Sequence, residues 1–461
     1  MRRARRASTM AAMETPVLIA GAGPAGLAAA VELARHDVPA LLVERRSVLS
    51  SHPRATVLSL RSMELMRGWG LEDAVRERSA AVDFTMLEAE TLATAAAGDA
   101  IGVGYPSRAQ SRVLSPVEPA CVAQDDIEPL LLERPSPDRV LLGTEITGLR
   151  GTRATLRDVR TGAERTVEAR YVIAADGARS TVRRAAGIAM HGADDVLVGE
   201  TTLIRAPLWD VVGPHRHLLY SLTRREAPSV LLPTGASDRW LFASDGGTKP
   251  IADLVRLAAG VPGLPVRVER SRRFSSAAQL AERFRAGPVL LAGDAAHRVT
   301  PRGGTGLNLA LHDGFDLGWK LAWVVRGWAG DALLDSYEAE RRPVAEHAAA
   351  RSADPRGSRR APEQEVHADL GGRIPHVWTA DGRSTLDLLG TGFTVFAAHD
   401  RPAPPPAGRV PVAVRRVDPI AARAIGAGGG SAILVRPDGV ISRTSWWAAG
   451  TGIRAVRDAQ P

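Results

Sequence analysis

The sequence predicts an α/β fold. A Rossmann-like domain comes in two pieces, residues 14–188 and 276–362, with a β-sheet domain inserted at 189–275 and a further unit at 363–461. Three observations predict it. A short apolar strand near the start runs into a G-x-G-x-x-G turn and an apolar helix. Two later apolar strands end in an acid beside a glycine, Asp176-Gly177 and Gly293-Asp294. Between those strands lie "RHLLYSLT", "PSVLLPT" and "DRWLFAS", short runs with strand character.

Bulk properties set the outer limits. A chain of 461 residues, 45% of them hydrophobic, suggests two or three domains with apolar material for a large core. The net charge is +8, and Arg2, Arg3, Arg5 and Arg6 supply four of those charges; Lys249 and Lys320 are the only lysines. A nucleic-acid face would show clustered basic residues with interleaved aromatics. None occurs, so no nucleic-acid partner is expected. The single cysteine, Cys121, excludes an internal disulfide and a cysteine-based metal site, and fits a reducing cytoplasm. The leader "MRRARRASTMAAMET" is basic, but no apolar segment of a signal peptide follows. It reads as a tail, with Met10 or Met13 as alternative starts. No apolar run reaches the roughly 18 residues that span a membrane.

Each part of the opening stretch has a mechanical reason. A strand at 17–20 leads into Gly21, Gly23 and Gly26, then a helix at 24–35 and a second strand at 40–43. Gly21 permits the tight turn, Gly23 lets a pyrophosphate approach the backbone, and Gly26 lets helix and strand pack closely. The helix N-terminus favours an anion, and Glu44, 18 positions after Gly26, can accept hydrogen bonds from a ribose diol. The fingerprint predicts a dinucleotide and does not itself separate FAD from NAD(P).

The strand at 171–175 ends in Asp176-Gly177, with Arg179, Ser180 and Arg183 following. Ligands of doubly wound sheets sit at the carboxyl ends of the strands, so Asp176 is placed to face the cofactor. Taken alone, the segment reads equally as an Asp-Gly turn with solvated arginines. "PVLLAGDAAH" is a third such strand, and "PRGGTGLNLALHDGFDLGWKLAWVV" is a glycine turn leading into a helix from about Leu307. A buried helix N-terminus offers free N–H groups and partial positive charge to a flat heterocycle. No acid or histidine cluster surrounds Asp294 at ligand spacing, so no metal is expected. His297 reads as a structural histidine rather than a catalytic one.

These three motifs, in this order, resemble the class A FAD-dependent aromatic monooxygenases of the para-hydroxybenzoate hydroxylase type: G-A-G-P-A-G with Glu44-Arg45, D-G-A-R-S, and G-D-A-A-H followed by P-R-G-G-T-G-L-N. "SHPRATVLSLRSMELMRGWGL" also matches the family's segment after the second strand. The resemblance implies that Gly21, Gly23, Pro24, Ala25, Gly26, Glu44 and Arg45 hold the ADP half of FAD. It implies Asp176 at FAD and NAD(P)H, and Asp294 on the ribityl chain. It implies Gly304 and Gly306 as cofactor-binding, with the Gly303-Gly304 turn admitting the flat ring, and places the Leu307 and Asn308 amides at the flavin N1/C2=O edge, where the helix end would stabilise the anionic reduced ring. It further implies Arg54 near flavin and pyridine nucleotide, Gln124 against flavin and ribityl, and Pro301 walling the pocket, with Arg54 and Pro301 nearest the chemistry. The sequence departs from the family where Thr305 replaces a usual glutamine, Gly314 a usual alanine and Asp316 a frequent asparagine. These departures bear on the pocket wall.

The inserted sheet would then cover the flavin and form the substrate cavity, with Trp209, Tyr220, Trp240 and Phe242 as candidate lining; the alternative is that they are sheet core. A polar linker is expected at about 352–370. The last segment resembles the thioredoxin-like C-terminal domain of the aromatic polyketide hydroxylases, including its L-V-R-P-D-G hairpin. It holds no cysteine, so its expected role is packing or a dimer contact, in a monomer or homodimer. The activity implied is hydroxylation of an aromatic polyketide-type substrate in natural-product biosynthesis. NADPH or NADH would reduce FAD, and O2 would form a C4a-hydroperoxide that delivers oxygen to an electron-rich carbon. Epoxidation, Baeyer–Villiger insertion, antibiotic inactivation and non-catalytic binding of an aromatic ligand are the competing readings. A halogenase would carry W-x-W-x-x-I-P, which is absent.

Overall fold

A computed structural model describes residues 13–244, 249–398, 409–427 and 431–442. The basic leader up to residue 12 and the segment 443–461 lie outside them.

The first sheet is built from the apolar strands that the sequence marks. Its parallel core runs, side by side, Val289–Leu291, Glu164–Ala174, Met13–Ala20, Ala40–Glu44 and Val140–Leu142. Such strands are buried on both faces and read as continuous hydrophobic runs rather than alternating ones. The register aligns Ala20 with Ala174, and Ala174 with Leu291. Glycine turn, Asp176 and Asp294 therefore emerge from three adjacent strands at one edge.

Helices Pro24–Arg35 and Gly306–Val325 pack on this sheet and on each other. Two glycines of the long helix make that approach possible. A Cβ at Gly314 would stand 2.1 Å from the Ala25 carbonyl oxygen, and one at Gly318 would stand 2.5 Å from the Glu32 Cβ. The departure at Gly314 thus has a packing reason. Asp316 has one too: its carboxylate accepts from the fully buried Lys320 ammonium at 2.7 Å.

The second sheet has eight strands, and only part of it comes from 189–275. Its order is His297–Arg298, Arg267–Ala281, Met190–Arg205, Arg239–Ser244, Ser229–Pro233, His217–Leu222, Asp83–Ala89 and Asp99–Gly102. Two strands are recruited from residues 83–102, and Arg267–Ala281 runs past 275.

The expected linker at 352–370 contains a helix, Pro362–Leu370, started by proline at its first turn and closed by Gly371 in the left-handed region. Beyond it lies a mixed three-stranded sheet, ordered Val412–Val417, Phe393–Ala398, Ile433–Val435. Strand alternation divides its central strand. Phe393, Val395 and Ala397 join the main core, while Phe396 and Ala398 pack with Ala421, Ala422 and Ile425 of the unit's own core. Trp323 of the long helix meets Phe393 edge-on and donates its indole N–H to the Thr391 carbonyl at 2.9 Å. No helix among the described residues is long and apolar enough to cross a membrane.

Candidate flavin site

Gly21 sits at φ +101° with its missing Cβ aimed at the Ala175 carbonyl oxygen, 2.4 Å away, and the Gly26 position lies 2.0 Å from the Gly21 carbonyl oxygen. No side chain fits at either place. A Cβ at Gly23 meets nothing within 4 Å, so the space before the first helix is open. Gly23 caps that helix without any side-chain hydrogen bond, which leaves its first N–H groups for a ligand. The Glu44 carboxylate braces the loop, accepting from Ala22 N–H at 3.0 Å and Arg46 N–H at 2.9 Å.

The next two acids are also placed for a ligand. Asp176 Oδ2 accepts from the Thr181 and Val182 N–H groups, while Oδ1 is buried with no partner. Asp294 makes no hydrogen bond among the described residues and opens onto the crevice. The protein around it still removes enough water to raise its pKa, against the pull of His297, Arg54 and Arg298. Helix Gly306–Val325 begins after Thr305 without a side-chain cap. Two left-handed glycines, Gly303 at φ +83° and Gly304 at φ +64°, turn the chain into it, and the Gly304 N–H donates to the Pro301 carbonyl at 3.1 Å.

These features fit a dinucleotide carrying a flat ring. An orphan carboxylate oxygen, a solvent-facing acid, two uncapped helix starts and an open space before Gly23 all border one strand edge. Gln124 is buried nearby; its amide donates to Glu128 at 2.7 Å, and its N–H donates to the Ala55 carbonyl at 2.8 Å. Arg54 lies within electrostatic reach of Glu128 and Asp294.

Arg54 and Arg45 also line an open cleft of about 760 Å³ whose other arginines are Arg46, Arg160, Arg270 and Arg272. No acidic residue lines it, and none of the six guanidinium groups makes an ion pair among the described residues. Burial, and then Arg272, Arg270 and Arg54, push the pKa of His52 in the same cleft down. Sequence reading missed this cleft because its arginines come from three distant segments, 45–54, 160 and 270–272.

It also missed the groups behind the loops. Asp313 accepts from Gly293 N–H at 3.0 Å, His297 Nε2 at 2.6 Å and Arg341 Nε at 2.9 Å. Burial alone would raise its pKa, but His297 and Arg341 hold it far below the usual carboxylate range. His297 is therefore a structural partner that fixes the turn before Asp294.

The aromatic candidates stand apart from this site. Trp209, Tyr220, Trp240 and Phe242 are buried together in the sheet domain's own core, with Trp209 and Trp240 ring centroids 4.5 Å apart. The Tyr220 hydroxyl is spent within its own strand segment, donating to the His215 carbonyl at 3.0 Å. Trp209 lies on helix Leu208–Val212 and packs over Trp240, so the four belong to the sheet's core packing, and none lines the cleft.

Fold and site together define a flavoprotein of the doubly wound type. The chain belongs to the FAD-dependent aromatic-ring hydroxylases: residues 14–352 match the FAD binding domain family, and residues 367–459 match the aromatic-ring hydroxylase C-terminal family. It is 35% identical over 471 residues to tetracenomycin A2 monooxygenase-dioxygenase of Streptomyces glaucescens, covering 85% of this chain and 83% of that one. It is 33% identical to an aklavinone 12-hydroxylase of Streptomyces peucetius, covering 85% and 94%. Among solved structures it superposes on the ternary complex of aklavinone-11 hydroxylase with FAD and aklavinone. There the TM-score is 0.79 at 30% identity, over 94% of this chain and 95% of that one.

Proposed function

We propose that this chain is an NADPH- and O2-using FAD monooxygenase that hydroxylates an electron-rich polycyclic aromatic of the polyketide type. The six unpaired arginines of the cleft are the observation that carries the choice of reductant. The pyrophosphate of FAD brings two negative charges, which leaves several guanidinium groups for a second phosphorylated ligand. A 2′-phosphate adds up to two more negative charges, so NADPH suits the cleft better than NADH. The relatives' names support the substrate class.

Bound flavin supplies the redox chemistry, accepting hydride and activating O2. The protein's part is to hold, orient and shield. Glu44 and Asp294 offer acceptors to ribose and ribityl hydroxyls. The uncapped start of Gly306–Val325 stabilises negative charge at the ring edge without reorganising. The Pro301–Gly304 turn closes the pocket from one side. The substrate wall falls on the sheet face opposite the aromatic core. There Leu232 pairs with Leu241. Leu232 is only half-buried, which leaves apolar surface for a flat ring system.

Purified protein reconstituted with FAD tests the reading. Polycyclic phenols are expected to stimulate NADPH oxidation more than NADH oxidation, with a product one oxygen atom heavier. Folded protein that refuses FAD, or NADPH consumption that yields only hydrogen peroxide across the panel, refutes it.

A further inference from the structure

We propose that Ser62 and His312 are positioning residues for the flavin cradle, acting through the side chain of Asn308. The inference rests on assigning the start of helix Gly306–Val325 to the flavin. Asn308 is the third residue of that helix, and its side-chain amide is fully occupied. Its Oδ1 accepts from the Ser59 N–H at 2.9 Å and from the Ser62 hydroxyl at 2.7 Å. Its Nδ2 donates to the Gly304 carbonyl at 3.1 Å and the Val57 carbonyl at 3.3 Å. An amide has two donors and an acceptor oxygen that takes two bonds. All four are used inward, so the side chain ties the cradle together and the main-chain N–H groups face the ring.

Which way the amide points is decided behind it. Ser59 contributes a backbone N–H, which can only donate. The Ser62 hydroxyl can donate or accept, and His312 Nε2, 3.0 Å away, chooses. Burial, with Arg341 and Arg61 adding to it, drives the His312 pKa well down, so the ring is neutral and carries one N–H. With that proton on Nε2, His312 donates to Ser62, and Ser62 keeps its own proton for Asn308. With the proton on Nδ1, Ser62 would turn to His312 and leave two oxygens facing each other at 2.7 Å. The bonded order is therefore His312 to Ser62 to Asn308 to Gly304. Ser62 is wholly buried. The Gly304 carbonyl also accepts from the Tyr105 hydroxyl at 3.2 Å. Two donors thus hold the left-handed turn that presents the helix start.

The far end of this chain reaches the C-terminal unit. Ser62 lies on helix Leu60–Gly68, whose Arg61 side chain donates to the Asp438 carbonyl at 2.7 Å. Arg373 forks onto Glu64 of the same helix, and Arg67 pairs with Asp387 at 2.7 Å. The cysteine-free unit thereby braces the helix that sets Asn308.

The test compares Ser62→Ala, His312→Leu and His312→Gln with the wild type. It measures the thermal midpoint of the apoprotein, FAD affinity by titration, and the visible absorption band of bound flavin. Ser62→Ala and His312→Leu are expected to bind FAD about tenfold more weakly, equivalent to about 1.4 kcal/mol, with a shifted flavin band. His312→Gln restores an N–H near Nε2 and is expected to stay within about twofold of wild type. Unchanged affinity and band in Ser62→Ala and His312→Leu overturn the proposal. So does a loss that follows apoprotein stability alone, with His312→Gln no better than His312→Leu. A wild-type protein that never takes up FAD marks instead the failure of the flavin assignment beneath it, and removes the proposal as well.

Discussion

Replacing Gly314 by alanine sets two known effects against each other. In a free helix, Gly→Ala stabilises by about 1 kcal/mol, because glycine gives up more backbone freedom. At this position the new methyl would stand 2.1 Å from the Ala25 carbonyl oxygen, 2.8 Å from the Ala28 Cβ and 2.9 Å from the Ala29 nitrogen. Two of those three atoms are backbone and cannot rotate aside. Relief requires the two helices to part by about 1 Å, and overpacking of this kind costs about 1–3 kcal/mol. With backbone as the obstacle, the upper part of that range applies. The net expectation is a loss of about 1–2 kcal/mol, or several degrees at about 2–4 °C per kcal/mol in a large domain. The displaced element is the helix whose uncapped start borders the candidate flavin site, so FAD affinity should weaken as well. Thermal unfolding of the apoprotein by circular dichroism, followed by FAD titration, checks both. A Gly314→Ala protein that melts at or above wild type with unchanged FAD affinity refutes the argument, because helix propensity would then have won.

Other outcomes follow from the same contacts. Arg270→Ala with Arg272→Ala should raise KM for NADPH about tenfold or more, since charged hydrogen bonds contribute about 1.5–3 kcal/mol each. KM for NADH should change little, and an unaltered NADPH-to-NADH preference in steady-state kinetics would sink the second-nucleotide reading of the cleft. Asp313→Asn leaves Arg341 buried without its counter-charge and should cost about 3–5 kcal/mol in denaturant unfolding. Because the Asp313 pKa is depressed in the fold, its stabilisation is complete above the unfolded carboxylate range and fades as pH falls below about 4. The Asn variant should accordingly lose that acid-side slope, and a melting profile parallel to wild type from pH 5 to 3 contradicts it. Trp240→Phe should lower the melting temperature without altering KM for the aromatic substrate, while Leu232→Trp should do the reverse. An exchange of those two phenotypes would return the substrate to the aromatic core.

The parallel sheet and its ligand edge were legible in the sequence. Fully buried strands are unbroken apolar runs, and a turn that must approach a phosphate or another backbone admits only glycine; both constraints act within a few neighbouring residues. Gly21, Gly26 and the acids after the later strands could therefore be read directly, and the register then set them side by side. Which face of the second sheet holds the aromatic core was not written locally. Trp240 and Leu241 are consecutive and both buried, and only the packing of Trp209 over Trp240 shows which of them belongs to the aromatic core. Nor could the sequence pair Ser59 or Ser62 with Asn308, some 250 positions away, or gather six arginines from three segments around one cleft. Short-range stereochemistry determined the cradle's parts. Long-range packing decided what stands behind them, because buried polar groups find partners by position in space, and position in space is fixed only once the whole core has closed.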